Sequence, residues 1–580
     1  MGEAEPTYST LWPLGRSTQR GRQAQAGLAG LSGKRIALVW DHLFKGDQIL
    51  HAFEERLRGQ VPDIEFIDHT HFVGDFGDDY SGLDELTRQL AQARADAAVV
   101  AVGACGRCTA GVMRAVAVAE EANIPAVGVV SSGFEVMARS IAKIFGDDEP
   151  RLAVYPGAIQ TDTDETFRHK VREHVLDQVE AGLQRSKGGN TPQQREADEK
   201  KAEEKKEANE NKEPAPREVV FTGSLDEVQE HFLTNGWSDG LPIVPPTPDR
   251  VDRFLAATTE DPGTVLGILP PELREITITN IAVNGVMAGC RPEYMPVLVA
   301  VARCLMDRRF RVEDLTSTFG LEPLIVVSGP VVEALEFNTG TGAMRLGRQA
   351  NTSIGRFLRL LMRNVGGLRI PPGTSDGGAI GYSFNVVMAE DEPSTRAIGW
   401  DPFRVDNGFP ADSSTASVLL VTNHSAPIYT AGESAEEHLE TIAQILGNAI
   451  GPWAYTAAVH GGFNPLLLLS PNVAQALHEF GADKKQIRAY LHEHLRIRAD
   501  VTERYARQVG RTDFSFAASI TDPVLREAWV ATEDPARPVP MLIDPEWTSI
   551  VIGGNPGRNQ SRAYVGNLVA GPPVTHPIQA

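Results

Sequence analysis

From Arg35 onward the chain alternates between short unbroken apolar runs and longer stretches in which apolar side chains recur every three or four positions. Arg35-Ile36-Ala37-Leu38-Val39-Trp40, Ile64 to Ile67, Ala97 to Val102 and Pro125 to Val130 read as strands, the unbroken ones as strands buried on both faces. Between them, Ile49 to Leu57 and Leu83 to Ala93 read as helices, and Val112, Ala115, Val116 and Ala119 mark one apolar helical face. Phe134, Met137, Ala138 and Ile141 repeat that spacing. Strand and helix in regular alternation predict an α/β domain over residues 34–185 with a parallel, flavodoxin-like sheet.

Residues 1–33 show no sustained period and are predicted to be a flexible tail. Residues 186–218 are dense in Glu, Lys, Asn and Pro and poor in large apolar side chains. Burial there cannot offset chain entropy, so the segment is predicted to be a charged linker. Residues 219–580 mix short strands, helices and Gly/Pro clusters, which predicts a larger α+β second domain. A chain of 580 residues exceeds one core, at about 150 residues per domain.

Composition narrows the function. A net charge of −21 argues against general binding to nucleic acid or anionic membrane, because phosphate affinity needs excess Lys and Arg. No uninterrupted apolar run reaches the length of a membrane span, and the N-terminal residues lack a signal-peptide pattern. Four cysteines, Cys105, Cys108, Cys290 and Cys304, are too few for a secreted disulfide scaffold of this size. A reducing, cytoplasmic location is the expectation.

The candidate chemistry sits at Cys105-Gly106-Arg107-Cys108, between the strand ending at Val102 and a helix opening near Thr109. A thiol reacts as its thiolate, and a helix N-terminus offers free amides and about half a unit of positive charge that favour the anion. Arg107 adds a cation. With two residues between them, one sulfur can attack and the other resolve the adduct as a disulfide. Zinc is the alternative, but no second Cys-x-x-Cys or close histidine pair completes four ligands, so no metal and no cofactor is expected. In a flavodoxin-like strand order, Asp41 and His42 end the strand beside the cysteines, and His42 is a candidate proton shuttle. Ser131, ending the next strand, is candidate polar lining.

The stretch AVGACGRCTAGVMRAVAVAEEANIPAVGVV resembles the UGSC-like family, named for its selenocysteine-or-cysteine, Gly, Ser, Cys motif, and more distantly the selenoprotein subunits of glycine, betaine and proline reductases. The resemblance places Cys105 at the selenocysteine position with Cys108 as its partner. Arg107 stands where Ser is common. The resemblance implies fold more firmly than substrate; the leading expectation for the cysteine pair is a reductase or reductive cleavage enzyme acting on a small polar substrate and recharged by a thioredoxin-like protein or low-molecular-weight thiol.

In the second domain, Gly236-Trp237-Ser238-Asp239-Gly240 reads as an ordered loop. It is either a substrate-facing wall through Trp237 and Asp239 or a structural clamp. Cys290 follows Gly289 and precedes Arg291 and Pro292, so it too is placed at a helix start, and it is a candidate to face the Cys105 pair across a cleft. Cys304 lies on an apolar helix face and reads as core. Arg107, Thr109 and Asp41 complete the candidate substrate contacts. Asn338 to Gly342 and Gly553 to Asn559 are Gly-rich loops whose amides could cradle an anion, although neither fits a nucleotide fingerprint. A non-redox lyase or transferase using a cysteine nucleophile, and a non-catalytic thiol or metal-binding module, remain the alternatives. Homo-oligomerisation is left open.

Overall fold

The computed structural model describes residues 5–18, 27–42, 44–73, 81–147, 149–184, 213–310, 312, 315, 320–369, 383–455, 463–508, 520, 523–566 and 573–579. Most of the predicted linker, residues 186–212, lies outside them.

The chain starts with β1 (Tyr8–Leu11). The α/β region then runs β2 (Arg35–Trp40), α1 (Gly46–Gln60), β3 (Glu65–Ile67), α2 (Ser81–Ala93), β4 (Ala97–Gly103), α3 (Gly106–Glu121), β5 (Ala126–Ser131), α4 (Glu135–Ile144), β6 (Leu152–Tyr155), α5 (Asp164–Lys170) and α6 (Leu176–Gln184). Its five strands lie in the order β3-β2-β4-β5-β6, all parallel. Alternate side chains leave opposite faces of a strand. Ile36, Leu38, Val99 and Val127 accordingly pack with Phe53 of α1, Phe167 of α5 and Val179 of α6. Val39, Val100 and Val130 pack with Leu86 of α2, Val116 of α3 and Ile141 of α4. Helices cover both faces, which explains why the central strands read as unbroken apolar runs.

The second region starts with β7 (Val219–Gly223) and the hairpin β8 (Val265–Leu269) and β9 (Arg274–Thr277). Its main sheet contains β10 (Glu322–Ser328), β11 (Met388–Ala389), β12 (Thr415–His424), β13 (Ile428–Tyr429) and β14 (Asn464–Leu469). A separate pair, β15 (Arg496–Arg498) and β16 (Pro538–Pro540), precedes the last three strands of that sheet, β17 (Ser549–Ile552), β18 (Gln560–Gly566) and β19 (Val574–Pro577). The order is β11-β10-β12-β18-β14-β17, with β13 on β18 and β19 on β12, and both parallel and antiparallel pairs occur. Helices Ile278–Met287, Met295–Met306 and Gln349–Leu361 supply nearly half of the largest core among the described residues. Among the described residues no helix is long and apolar enough to cross a membrane.

The prediction of a flexible tail over residues 1–33 needs correction. β1 pairs antiparallel with β7, more than two hundred residues away, and Leu11, Trp12 and Leu14 are buried. The side-chain amides of the buried Asn280 and Asn284 donate to the carbonyls of Leu14 (2.9 Å) and Pro13 (3.0 Å). A four-residue strand whose partner lies so far along the chain leaves no local period to read. Where the strap passes β9, a Cβ on Gly15 would overlap the backbone carbonyl of Glu275. Gly15→Ala is therefore expected to loosen the strap and speed protease cleavage within residues 8–18, followed by mass spectrometry. An unchanged cleavage rate would show that β9 yields instead.

Candidate functional site

The parallel register brings the carboxyl ends of β2, β4, β5 and β6 to one edge, where open α/β sheets bind ligands. Cys105 lies there as the N-cap of α3, in extended conformation (φ −146°, ψ 168°). Its Sγ accepts the amide hydrogen of Cys108 at 3.0 Å. That amide is one of the free donors at a helix start, so the sulfur sits where negative charge is stabilised. Cys105 and Cys108 form a disulfide, with Cα atoms 5.1 Å apart. Cys105 is half-buried and Cys108 is 2% exposed. A soluble thiol can therefore reach the first sulfur more readily than the second.

The turn is held by its neighbours. The Thr109 amide and hydroxyl both donate to the Cys105 carbonyl, at 2.9 and 2.7 Å. Thr109, expected as a substrate contact, is fully buried and positions the turn. Gly103 lets α3 approach closely: a Cβ there would come within 2.9 Å of Thr109 Oγ1 and Val130 Cγ1. Asp41, 6% exposed, accepts the Val102 amide at 3.1 Å, beside a register shift between β4 and β5. It too acts on the backbone that delivers Cys105. Gln160 donates its side-chain amide to the Ala104 carbonyl.

His42 follows β2 in left-handed conformation (φ 55°), with its ring 5.0 Å from that of Trp40. Ser131 is buried at the end of β5, and its hydroxyl has no hydrogen-bond partner among the described residues. Arg107 lies in the first turn of α3, and its side chain is outside what is described.

Three residues at this edge escaped the sequence reading. The Tyr155 hydroxyl donates to Asp162 at 2.6 Å, and Lys170 reaches the same carboxylate oxygen at 2.7 Å. Burial works to raise the Asp162 carboxyl, but the hydrogen bonds from Lys170 and Tyr155 outweigh it and hold the group below its ordinary range. Burial, reinforced by Asp162, pushes the Tyr155 phenol well upward, so it stays a donor. The only signal for them was their position at the end of the last, short strand of this region and in the segment that follows it.

On the far side of Trp40, His51, Asp68 and His69 bring their ligand atoms within 4.8 Å of one another. The His69 ring packs 5.2 Å from Trp40, and Asp68 also caps the following turn through Thr70. Two imidazoles and a carboxylate are a donor set suited to zinc. The expectation of no metal rested on sequence-local spacing, and these ligands come from a helix and a separate loop.

The second-domain candidates gather elsewhere. Cys290 packs against the helical core there, near Ser353 and Arg356 of helix Gln349–Leu361. Burial pushes its thiol up to about 12, only partly offset by the Ser353 hydroxyl and the Arg356 guanidinium, so it is protonated at neutral pH. Both Asp239 carboxylate oxygens accept from Arg356 at 2.8 Å. Trp237 packs edge-on against Phe232, and its carbonyl accepts the Asn364 amide. The loop is thus a clamp onto the core. Cys290, Trp237 and Asp239 thus lie against the helical core, each with part of its surface exposed. Cys304 is fully buried, as expected.

The first region is thus a three-layer α/β unit that carries a dithiol/disulfide pair at a strand-to-helix turn. Residues 9–185 match the model of the UGSC family. No curated protein and no solved structure matches the chain.

Proposed function

We propose that the protein is a thiol-dependent oxidoreductase that reduces, or reductively cleaves, a small polar substrate through Cys105 and Cys108. The observation carrying this reading is the asymmetry of the pair: an accessible sulfur at a helix N-terminus is disulfide-bonded to a buried one. In the reduced enzyme the Cys105 thiolate attacks the substrate and displaces a leaving group, which takes up a proton. The Cys108 thiolate then attacks Cys105 Sγ, releasing the substrate fragment with the electron pair of the broken bond. The two thiols lose two electrons and become the disulfide, and the substrate gains them. A thioredoxin-like protein or low-molecular-weight thiol returns two electrons by exchange.

The strand order β3-β2-β4-β5-β6 supports a flavodoxin-like reading of the domain, since it follows the 2-1-3-4-5 order of that doubly wound class. The resemblance to reductase selenoprotein subunits points to the same chemistry. A cytoplasmic setting suits a pair that must cycle through its reduced form.

The test is the pH dependence of Cys105 alkylation in the pre-reduced full chain, with the modified residue identified by mass spectrometry. The amide donor and helix terminus should place its midpoint clearly below the roughly 8.5 of a free cysteine. A midpoint at or above that value removes the activated thiolate and the proposal with it.

A further inference from the structure

The second domain contains a cavity of about 680 Å³ where the two Gly-rich loops meet. They lie more than two hundred residues apart in sequence, yet the Gly554 amide donates to the Thr339 carbonyl at 2.7 Å. Gly554 has φ +107° and nothing within 4 Å of where a Cβ would stand, so its backbone borders open space. Asn338 and Asn555 brace the loops, each accepting an amide two residues on, from Gly340 at 3.2 Å and Gly557 at 2.9 Å.

The lining is positively charged on an acidic protein. Arg345, Arg558 and Arg562 border the cavity, and no Asp or Glu is among its described lining residues. The chain as a whole carries −21. Elsewhere in this domain guanidinium groups are neutralised, as in Arg356 with Asp239, Arg359 with Glu322 and Arg404 with Glu392. The Arg345 and Arg558 guanidiniums have no hydrogen-bond or ion-pair partner among the described residues, and both side chains are exposed. Arg562 is steered by a neutral group, donating to the Ser425 carbonyl at 2.8 Å. Three arginines with no carboxylate between them repel one another unless an anion joins them. Their planar forks match phosphate oxygens.

The lining also holds two aromatic rings. Phe384 and Tyr564 lie with ring centroids 5.9 Å apart, and burial keeps the Tyr564 phenol protonated. The volume exceeds what inorganic phosphate fills and falls in the range of small-molecule sites, about 300–1,000 Å³.

We infer that this cavity binds a phosphate-bearing metabolite of nucleotide size, its phosphate on Arg345, Arg558 and Arg562 and its planar part against Phe384 and Tyr564. The inference is independent of the Cys105 chemistry. It is tested by isothermal titration of the full chain with AMP, inorganic pyrophosphate and citrate at low salt. AMP and pyrophosphate should bind. Arg345→Gln and Arg558→Gln, which alter exposed and unpartnered side chains, should each weaken both by about tenfold or more. Phe384→Ala should weaken AMP and leave pyrophosphate unchanged. Binding that is equal in wild type and both arginine variants would place the anion elsewhere and overturn the inference, as would no binding of either phosphate probe. Citrate binding alone would overturn the phosphate assignment. Unchanged melting temperatures of the arginine variants confirm that binding, not folding, is being read.

Discussion

Cys105→Ser should abolish thiol exchange, whereas Cys108→Ser should trap it halfway. With a small aromatic disulfide as probe, pre-reduced wild type releases two equivalents of probe thiol and closes its own disulfide. Cys108→Ser should attack at Cys105 but stop at one equivalent, leaving a stable mixed disulfide visible as added mass. In Cys105→Ser the pair keeps only the sulfur of Cys108, which is 2% exposed, and the rate of exchange at this turn should fall at least about a hundredfold, because exchange depends on thiolate fraction and access together. Equal rates for the two single variants would remove the distinction between attacking and resolving sulfur on which the proposed mechanism depends.

Glu120→Ala is expected to cost about 3–5 kcal/mol, the range found when one partner of a buried ion pair is deleted. Glu120, in the last turn of α3, is 4% exposed and pairs with Arg151, which is 1% exposed, while also accepting the Ala126 amide at 3.0 Å. Removing it takes the carboxylate from a buried guanidinium and leaves the amide entering β5 without that acceptor. Hydrogen exchange of β4 to β6 amides in rising urea is the suitable readout, because a chain with several cores need not unfold in one step. Replacing both residues by leucine should recover most of the loss. A single-variant loss under about 1 kcal/mol would show that water reaches Arg151.

The sequence was most informative where burial is most complete. Residues 36–39 and Ala97–Gly103 are covered on both faces, so every residue had to be apolar or glycine and the runs announced themselves. The cysteine turn was legible for the same reason, since a strand end and a helix start bracket it. Leu152–Tyr155 is only four residues long and half-covered, and with it the Tyr155, Asp162 and Lys170 group went unread. β12 illustrates the difficulty in the second domain, because its partners β10, β18 and β19 lie far along the chain in both directions. Cys290 shows a different limit. Its setting after a glycine and before a proline resembles that of Cys105, but the Arg356 and Ser353 that surround it come from a helix whose approach no local pattern reveals.

The pairing of Tyr8–Leu11 with Val219–Gly223 bears on how this protein can be dissected. A fragment cut at the family boundaries would carry Leu11, Trp12 and Leu14 with nothing to cover them. The complementary fragment would display an unpaired sheet edge beside a bared apolar surface, which is an invitation to self-association. Expression of either half alone should therefore yield less soluble material than the intact polypeptide. Supplying residues 5–18 as a peptide to the C-terminal fragment should restore much of that solubility.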